Sequence, residues 1–179
     1  MSKSAFFLAW AAIFLTGCAT LQTDSYVPSQ DNREIIAKYD KNISIGSFRP
    51  NYTYESKCRG VGHIRPPGGV SIEAYIRQAF IDEFKAASAY KENASITLSA
   101  SIDEVQFSSS KSVVNGEWSL KATISSSNGK NLTVSELHEF TAGFFGTSAC
   151  DEVALQFSKA VQSLVKKVLM HPEFATLIR

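Results

Sequence analysis

The sequence has few of the residues, and none of the short motifs, from which catalytic and metal sites are usually built. Its three histidines stand far apart at positions 63, 138 and 171. Gly-x-Ser-x-Gly, His-Glu-x-x-His, Cys-x-x-Cys and Walker patterns are all absent. His138-Glu139 falls on a predicted strand, where neighbouring side chains point to opposite faces. We therefore predict no catalytic residue, no metal site and no cofactor.

An excess of charge is also missing. The chain carries 18 basic and 17 acidic side chains, and removal of residues 1–17 would take away only Lys3. The remainder is formally neutral, which argues against electrostatic binding of nucleic acid, because such binding needs a basic surface. The sequence contains no internal repeat or low-complexity tract.

Long apolar runs are scarce, and the one that stands out is at the N-terminus. Residues 5–15 form an uncharged stretch of 11 residues behind Lys3. Such a run is too short to cross a bilayer as a helix, which needs about 20 apolar residues. It is apolar on every side, so it does not fit an amphipathic helix of the fold either. A basic start followed by a short apolar run indicates a secretory signal peptide.

Leu15-Thr16-Gly17-Cys18, which follows this run, resembles the lipobox of bacterial lipoproteins at every position. The resemblance implies cleavage before Cys18, a diacylglyceryl group on its sulfur and an acyl chain, such as palmitate, on the new amine. Several acyl chains at one residue give stable membrane anchoring. By the same resemblance, Ala19 in place of aspartate favours the outer membrane, with the protein facing the periplasm.

The two other cysteines, Cys58 and Cys150, form an even pair in what would be an oxidising compartment. We predict that they form a disulfide that joins the entrances of the two main helices. Two buried free thiols are the alternative, as is a metal site, although a metal site needs more Cys or His nearby than this sequence has.

The remaining pattern predicts a signal peptide over 1–17, a lipidated and flexible tether over 18–41, and one α+β domain over 42–179. Ser71 begins a predicted amphipathic helix, and a second one runs from Thr147 or Ser148 to about Met170. Around them, apolar and polar residues alternate along predicted strands. These strands start near residues 42, 96, 117 and 132. Residues 51–55 are a candidate short strand, and residues 57–69 are predicted to be a Gly- and Pro-rich loop.

We therefore expect a two-layer sandwich in the order β-α-β-β-β-α. A mostly antiparallel four-stranded sheet would carry both helices on one face. This architecture is similar to that of small periplasmic lipoproteins, including auxiliary lipoproteins of ABC-type envelope transporters. The leading hypothesis is a non-catalytic binding or structural module with an envelope protein as partner. The alternatives are a transport accessory that binds lipid or a small apolar ligand between the layers, and a hydrolase with an unrecognised site.

Two stretches are candidate contact sites. The 57–69 loop gathers positive charge at Lys57, Arg59, His63 and Arg65, which suits an anionic group or acidic partner. The simpler interpretation is a connection whose charges are only solvated. Phe144 and Phe145 stand between two glycines before the second helix. We expect them to fill the end of the core, and the alternative is an exposed contact with a partner or membrane.

Overall fold

The computed structural model describes residues 19–179, so the predicted signal peptide and Cys18 lie outside the described residues. A single turn of 3-10 helix at Pro67–Gly69 directly precedes the helix Ile72–Ala86. In chain order the elements are β1 (Thr20–Gln22), α1 (Gln30–Ala37), β2 (Ile43–Pro50), β3 (Lys57–Cys58), β4 (Gly62–Arg65), α2 (Ile72–Ala86), β5 (Ile96–Ser108), β6 (Asn115–Ser126), β7 (Asn131–Thr141), α3 (Gly146–Met170) and α4 (Phe174–Leu177).

The larger sheet has the order β2-β5-β6-β7, with β5, β6 and β7 antiparallel and β2 parallel to β5. Its strands alternate as predicted, since a strand sends successive side chains to opposite faces. On β6, Trp118 and Leu120 are fully buried, whereas Lys121, which directly follows Leu120, is exposed. Strand β5 is irregular at Asp103, because its register against β6 shifts between Ile102 and Glu104.

Both long helices cover the buried face of this sheet, so the predicted α+β sandwich is confirmed. Helix α2 begins as expected, because the Ser71 side chain accepts a hydrogen bond from the Ala74 amide. The sheet is hydrogen-bonded to the other long helix, because the indole of Trp118 donates to the Val153 carbonyl of α3 at 2.8 Å. The same ring packs against Phe157, with 4.8 Å between centroids, and this contact joins the two layers.

The predicted flexible tether is wrong for most of its length. Strand β1 pairs in parallel with β4, and α1 packs against α2 and α3. Ile36 of α1 is only 1% exposed. A three-residue strand and a two-turn helix carry too little periodic signal to be read from sequence, because their stability comes from tertiary contacts.

A buried carboxyl group of α2 holds this N-terminal segment. Glu83 is fully buried, and its Oε1 atom accepts hydrogen bonds from the Tyr26 hydroxyl at 2.5 Å, the Ser29 amide at 3.0 Å and the Asn32 side chain at 2.8 Å. Burial and the neighbouring Glu83 raise the pKa of Tyr26 far above its usual value. The Tyr26 hydroxyl therefore stays protonated and remains a donor to Glu83.

The predicted loop over 57–69 is also more regular than expected. Lys57–Cys58 and Gly62–Arg65 pair antiparallel, and with β1 they form a small sheet of order β1-β4-β3. Residues 51–55, a candidate short strand, contain no strand. Tyr54 from this stretch packs inward instead, and its hydroxyl donates to the Ile64 carbonyl at 3.1 Å.

We expect Tyr26→Phe to lower the free energy of unfolding by about 2 kcal/mol, because it removes a hydrogen bond to a buried carboxyl group. Tyr52→Phe is the matched control: its hydroxyl also donates to a carboxyl group, Glu73 at 2.9 Å, which is only half-buried. That loss should be about 0.5–1 kcal/mol. Urea denaturation measures both values, and equal losses would contradict the role given to Glu83.

Candidate functional site

The predicted disulfide is present and lies at one end of the molecule. Cys58 and Cys150 are bonded, with 5.9 Å between their Cα atoms and 92 residues between them in sequence. Both side chains are buried. Because Cys58 belongs to β3, the bond connects the small sheet to the first turns of α3, and not the two helix entrances as predicted.

The turn that follows Cys58 is held by a side chain of its own. Arg59 takes a left-handed backbone conformation, with φ at 50°. Its guanidinium donates to the Ser109 hydroxyl at 3.0 Å and to the Ser109 carbonyl at 2.7 Å, which fixes the turn to the connection between β5 and β6. The Arg59 side chain, a candidate contact for an anion, is therefore partly engaged within the protein.

The other basic residues of this stretch do not converge with Arg59. The ring of His63 is half-buried, and its Nδ1 atom lies 2.8 Å from the Ser56 hydroxyl. Arg65 is exposed at the far end of β4, opposite Gln22. Lys57 pairs with His63 across the hairpin and Arg65 lies two residues further along β4, whereas the Arg59 side chain is bound to Ser109.

Phe144 and Phe145 are exposed, so the expectation that they fill the end of the core is wrong. Their side chains are 66% and 73% accessible, and the rings pack edge to face with 5.5 Å between centroids. The chain folds back tightly here, since a Cβ atom at Gly143 would overlap Ser148. Helix α3 begins at Gly146, earlier than predicted, and this geometry leaves both rings outside.

The core at this end is filled by other aromatic residues. The rings of Phe107 and Trp118 lie 5.1 Å apart, and Tyr54 packs against both of them. These residues come from β5, β6 and the segment before β3. No local pattern around Phe144 and Phe145 could show that this space was already occupied.

Two valines of the β5–β6 connection extend the apolar surface. Val113 and Val114 are 73% and 45% exposed, and the Val114 carbonyl accepts a hydrogen bond from the Ala142 amide at 2.7 Å. We call Val113, Val114, Phe144 and Phe145 the apolar tip. It holds four of the nine large apolar residues exposed within residues 19–179. Neither valine was predicted from sequence, although two adjacent apolar residues beside Asn115-Gly116 were a visible signal.

Ala19, the first residue that the structure describes, lies at the same end of the molecule as the disulfide. Its carbonyl accepts a hydrogen bond from the His63 amide at 3.0 Å. Gly62 is required there, because a Cβ atom would come within 2.5 Å of the Ala19 carbonyl oxygen. The other side of the same turn faces α3, where the Val61 side chain lies 3.6 Å from the place of a Cβ at Gly146. The turn between β3 and β4 therefore lies between the start of β1 and Gly146, the residue that follows Phe145.

The two layers are packed closely where Trp118 and Phe157 meet. Between Tyr54, Ile64, Trp118 and Phe157 the gap has no room for a water molecule. A depression of about 450 Å³ beside Glu136 and Met170 is open to solvent. Within residues 19–179 no group of three His, Cys, Asp or Glu side chains is placed to hold a metal ion. No helix in the same range is both long and apolar enough to span a membrane.

The sequence matches no family model and no curated protein. Among solved structures, the fold is similar to that of a Xanthomonas campestris protein of the DUF330 family. Their TM-score is 0.53 at 7% identity, over 85% of this chain and 95% of the other. A candidate lipoprotein of Caulobacter crescentus gives 0.44 at 12% identity, over 82% and 93%. A hypothetical protein of Chlamydia trachomatis gives 0.38 at 8%, over 75% and 98%. These likenesses concern the fold alone.

We expect the double variant Cys58→Ala, Cys150→Ala to lose about 4–5 kcal/mol of unfolding free energy, because the bond closes a long loop in the unfolded chain. That is a large part of the roughly 5–15 kcal/mol typical of a domain. Urea denaturation with and without dithiothreitol measures the loss. The reductant should destabilise the unmodified protein to the level of the variant and leave the variant unchanged. A reductant that shifts neither protein would contradict the prediction.

Proposed function

We propose that this protein is a bacterial lipoprotein, anchored in the outer membrane through acylated Cys18 and facing the periplasm. There it acts as a non-catalytic binding or structural module. The observation that carries the proposal is Leu15-Thr16-Gly17-Cys18, directly after a short apolar run with a basic start. The Cys58–Cys150 disulfide supports it, because structural disulfides persist in oxidising compartments such as the periplasm.

The close packing of the layers around Trp118 and Phe157 favours a surface contact over an internal ligand site at that place. A transport accessory that holds lipid between sheet and helices needs a cavity of a few hundred Å³. The gap bordered by Trp118 and Phe157 has no room for even one water molecule. The exposed apolar tip, by contrast, offers the kind of surface through which proteins meet partners or membranes. No observation favours a hydrolase.

We expect Cys18→Ser to abolish incorporation of labelled palmitate and to leave an uncleaved or differently processed protein in the cell. Mass spectrometry of the mature N-terminus provides a second readout. Ala19→Ser is the control, because it changes the neighbouring exposed residue and leaves Cys18 in place, and it should still be labelled. Palmitate incorporation that is unchanged in Cys18→Ser would remove the basis of the proposal.

The membrane assignment has its own test. Ala19→Asp should move the protein towards the inner membrane in an enterobacterial host, whereas Ala19→Ser should leave it in the outer membrane. Ala19 is exposed, so neither change should affect folding. Separation of the two membranes on a sucrose gradient provides the measurement. Accumulation of the unmodified protein in the inner membrane would refute the outer-membrane assignment while leaving the lipid anchor intact.

A further inference from the structure

We propose that the apolar tip enters the interface of the same bilayer that holds the acyl chains of Cys18, so that the domain lies directly on the membrane in one orientation. This inference rests on the proposed lipid anchor. It adds a second membrane contact, made by the protein's own side chains, at Val113, Val114, Phe144 and Phe145.

Very little free chain separates the proposed acylation site from the folded domain. Thr20 already belongs to β1, and the Ala19 carbonyl is hydrogen-bonded to the His63 amide. From Cys18 to Thr20 the chain can span only about 7 Å, since an extended residue covers roughly 3.5 Å. An acylated Cys18 therefore holds the surface around Ala19 within a few ångströms of the lipid headgroups.

The direction of β1 determines which surface of the domain lies nearest the anchor. Because β1 runs parallel to β4, its start lies beside Gly62 and His63, which begin β4 directly after the turn from β3. The Arg59 and Val61 side chains of this turn lie 3.6 Å from the place that a Cβ atom at Gly146 would occupy, and Gly146 follows Phe145 directly. The disulfide of Cys58 with Cys150 holds the turn and α3 together. The surface nearest the anchor therefore includes the exposed aromatic pair.

The chemistry of the tip fits the headgroup and acyl boundary. Phe144 and Phe145 expose most of their area to water, and apolar side chains in this position gain by entering the membrane interface. The charges nearby are mixed: Arg59 is engaged by Ser109, and Asp151 is exposed on the first turns of α3. We therefore expect the contact to depend on apolar burial and to change little with the content of anionic lipid.

The opposite end of α3 provides a matched control. Met170, the last residue of this 25-residue helix, is 63% exposed, close to the 66% of Phe144. A helix of that length places it about 36 Å from Gly146. An apolar side chain there should remain in water when the tip is in the membrane.

The test compares Phe145→Trp with Met170→Trp in the mature, acylated protein purified from membranes. Each variant is reconstituted in phosphatidylcholine vesicles with brominated acyl chains, which quench nearby tryptophan. Trp118 is fully buried and is the only other tryptophan after removal of residues 1–17, so it provides a constant background. We expect a blue shift and several-fold stronger quenching at position 145 than at position 170. Addition of phosphatidylglycerol should leave the ratio unchanged.

Equal quenching at the two positions, or none at position 145, would overturn the proposal. Mass spectrometry of the same samples shows whether Cys18 is acylated. Acylation without quenching refutes the docking alone, whereas absence of acylation refutes the anchor on which it rests. Benzoylphenylalanine at position 145 provides a test in intact cells. Crosslinks to lipid support the proposal, and a single protein adduct as the main product would assign the tip to a protein partner and overturn it.

Discussion

The covalent bond between Cys58 and Cys150 is the constraint on which the end of the molecule near Ala19 depends. A strand of three residues, such as β1, has little stability of its own. It is held because β4 pairs with it, β3 pairs with β4, and the disulfide joins β3 to a helix that is buried along most of its inner face. The N-terminal strand is thus held to the main core through the disulfide, together with the buried Ile64 side chain of β4.

Hydrogen bonds secure the rest of the N-terminal segment in a different way. Glu83 collects three donors from residues 26–32, and Asn32 also donates to the Gln162 carbonyl of α3. A buried carboxyl group is costly without such partners, so the three donors to the Oε1 atom of Glu83 tie the segment to α2, although its Oε2 atom has no hydrogen-bond partner. The tether expected from composition is therefore replaced by a layer that covers both long helices, with a disulfide-linked sheet at one end and a polar cluster at the other.

The features that could be predicted from sequence are those that produce a short local pattern of apolar, polar or capping residues. The alternation around Trp118 defined β6, and Ser71 marked the start of α2, because both signals lie within a few residues. The pairing of Cys58 with Cys150 followed from their number. Glu83 could not be recognised, since its donors are more than 50 residues away. Phe144 and Phe145 were misplaced because hydrophobicity alone suggests burial, whereas Phe107 and Trp118 already fill that part of the core.

The parallel pairing of β1 with β4 has a mechanical consequence. A load that pulls the domain away from its anchor would act on the start of β1, along the strand axis. The hydrogen bonds of the ladder run across that axis, so they would share the load in shear and would have to break together. An antiparallel strand pulled from its hairpin end would instead unzip one bond at a time. From β4 the load would pass through β3 and the disulfide into α3, so this short strand suits the point of attachment that the proposed lipid anchor requires.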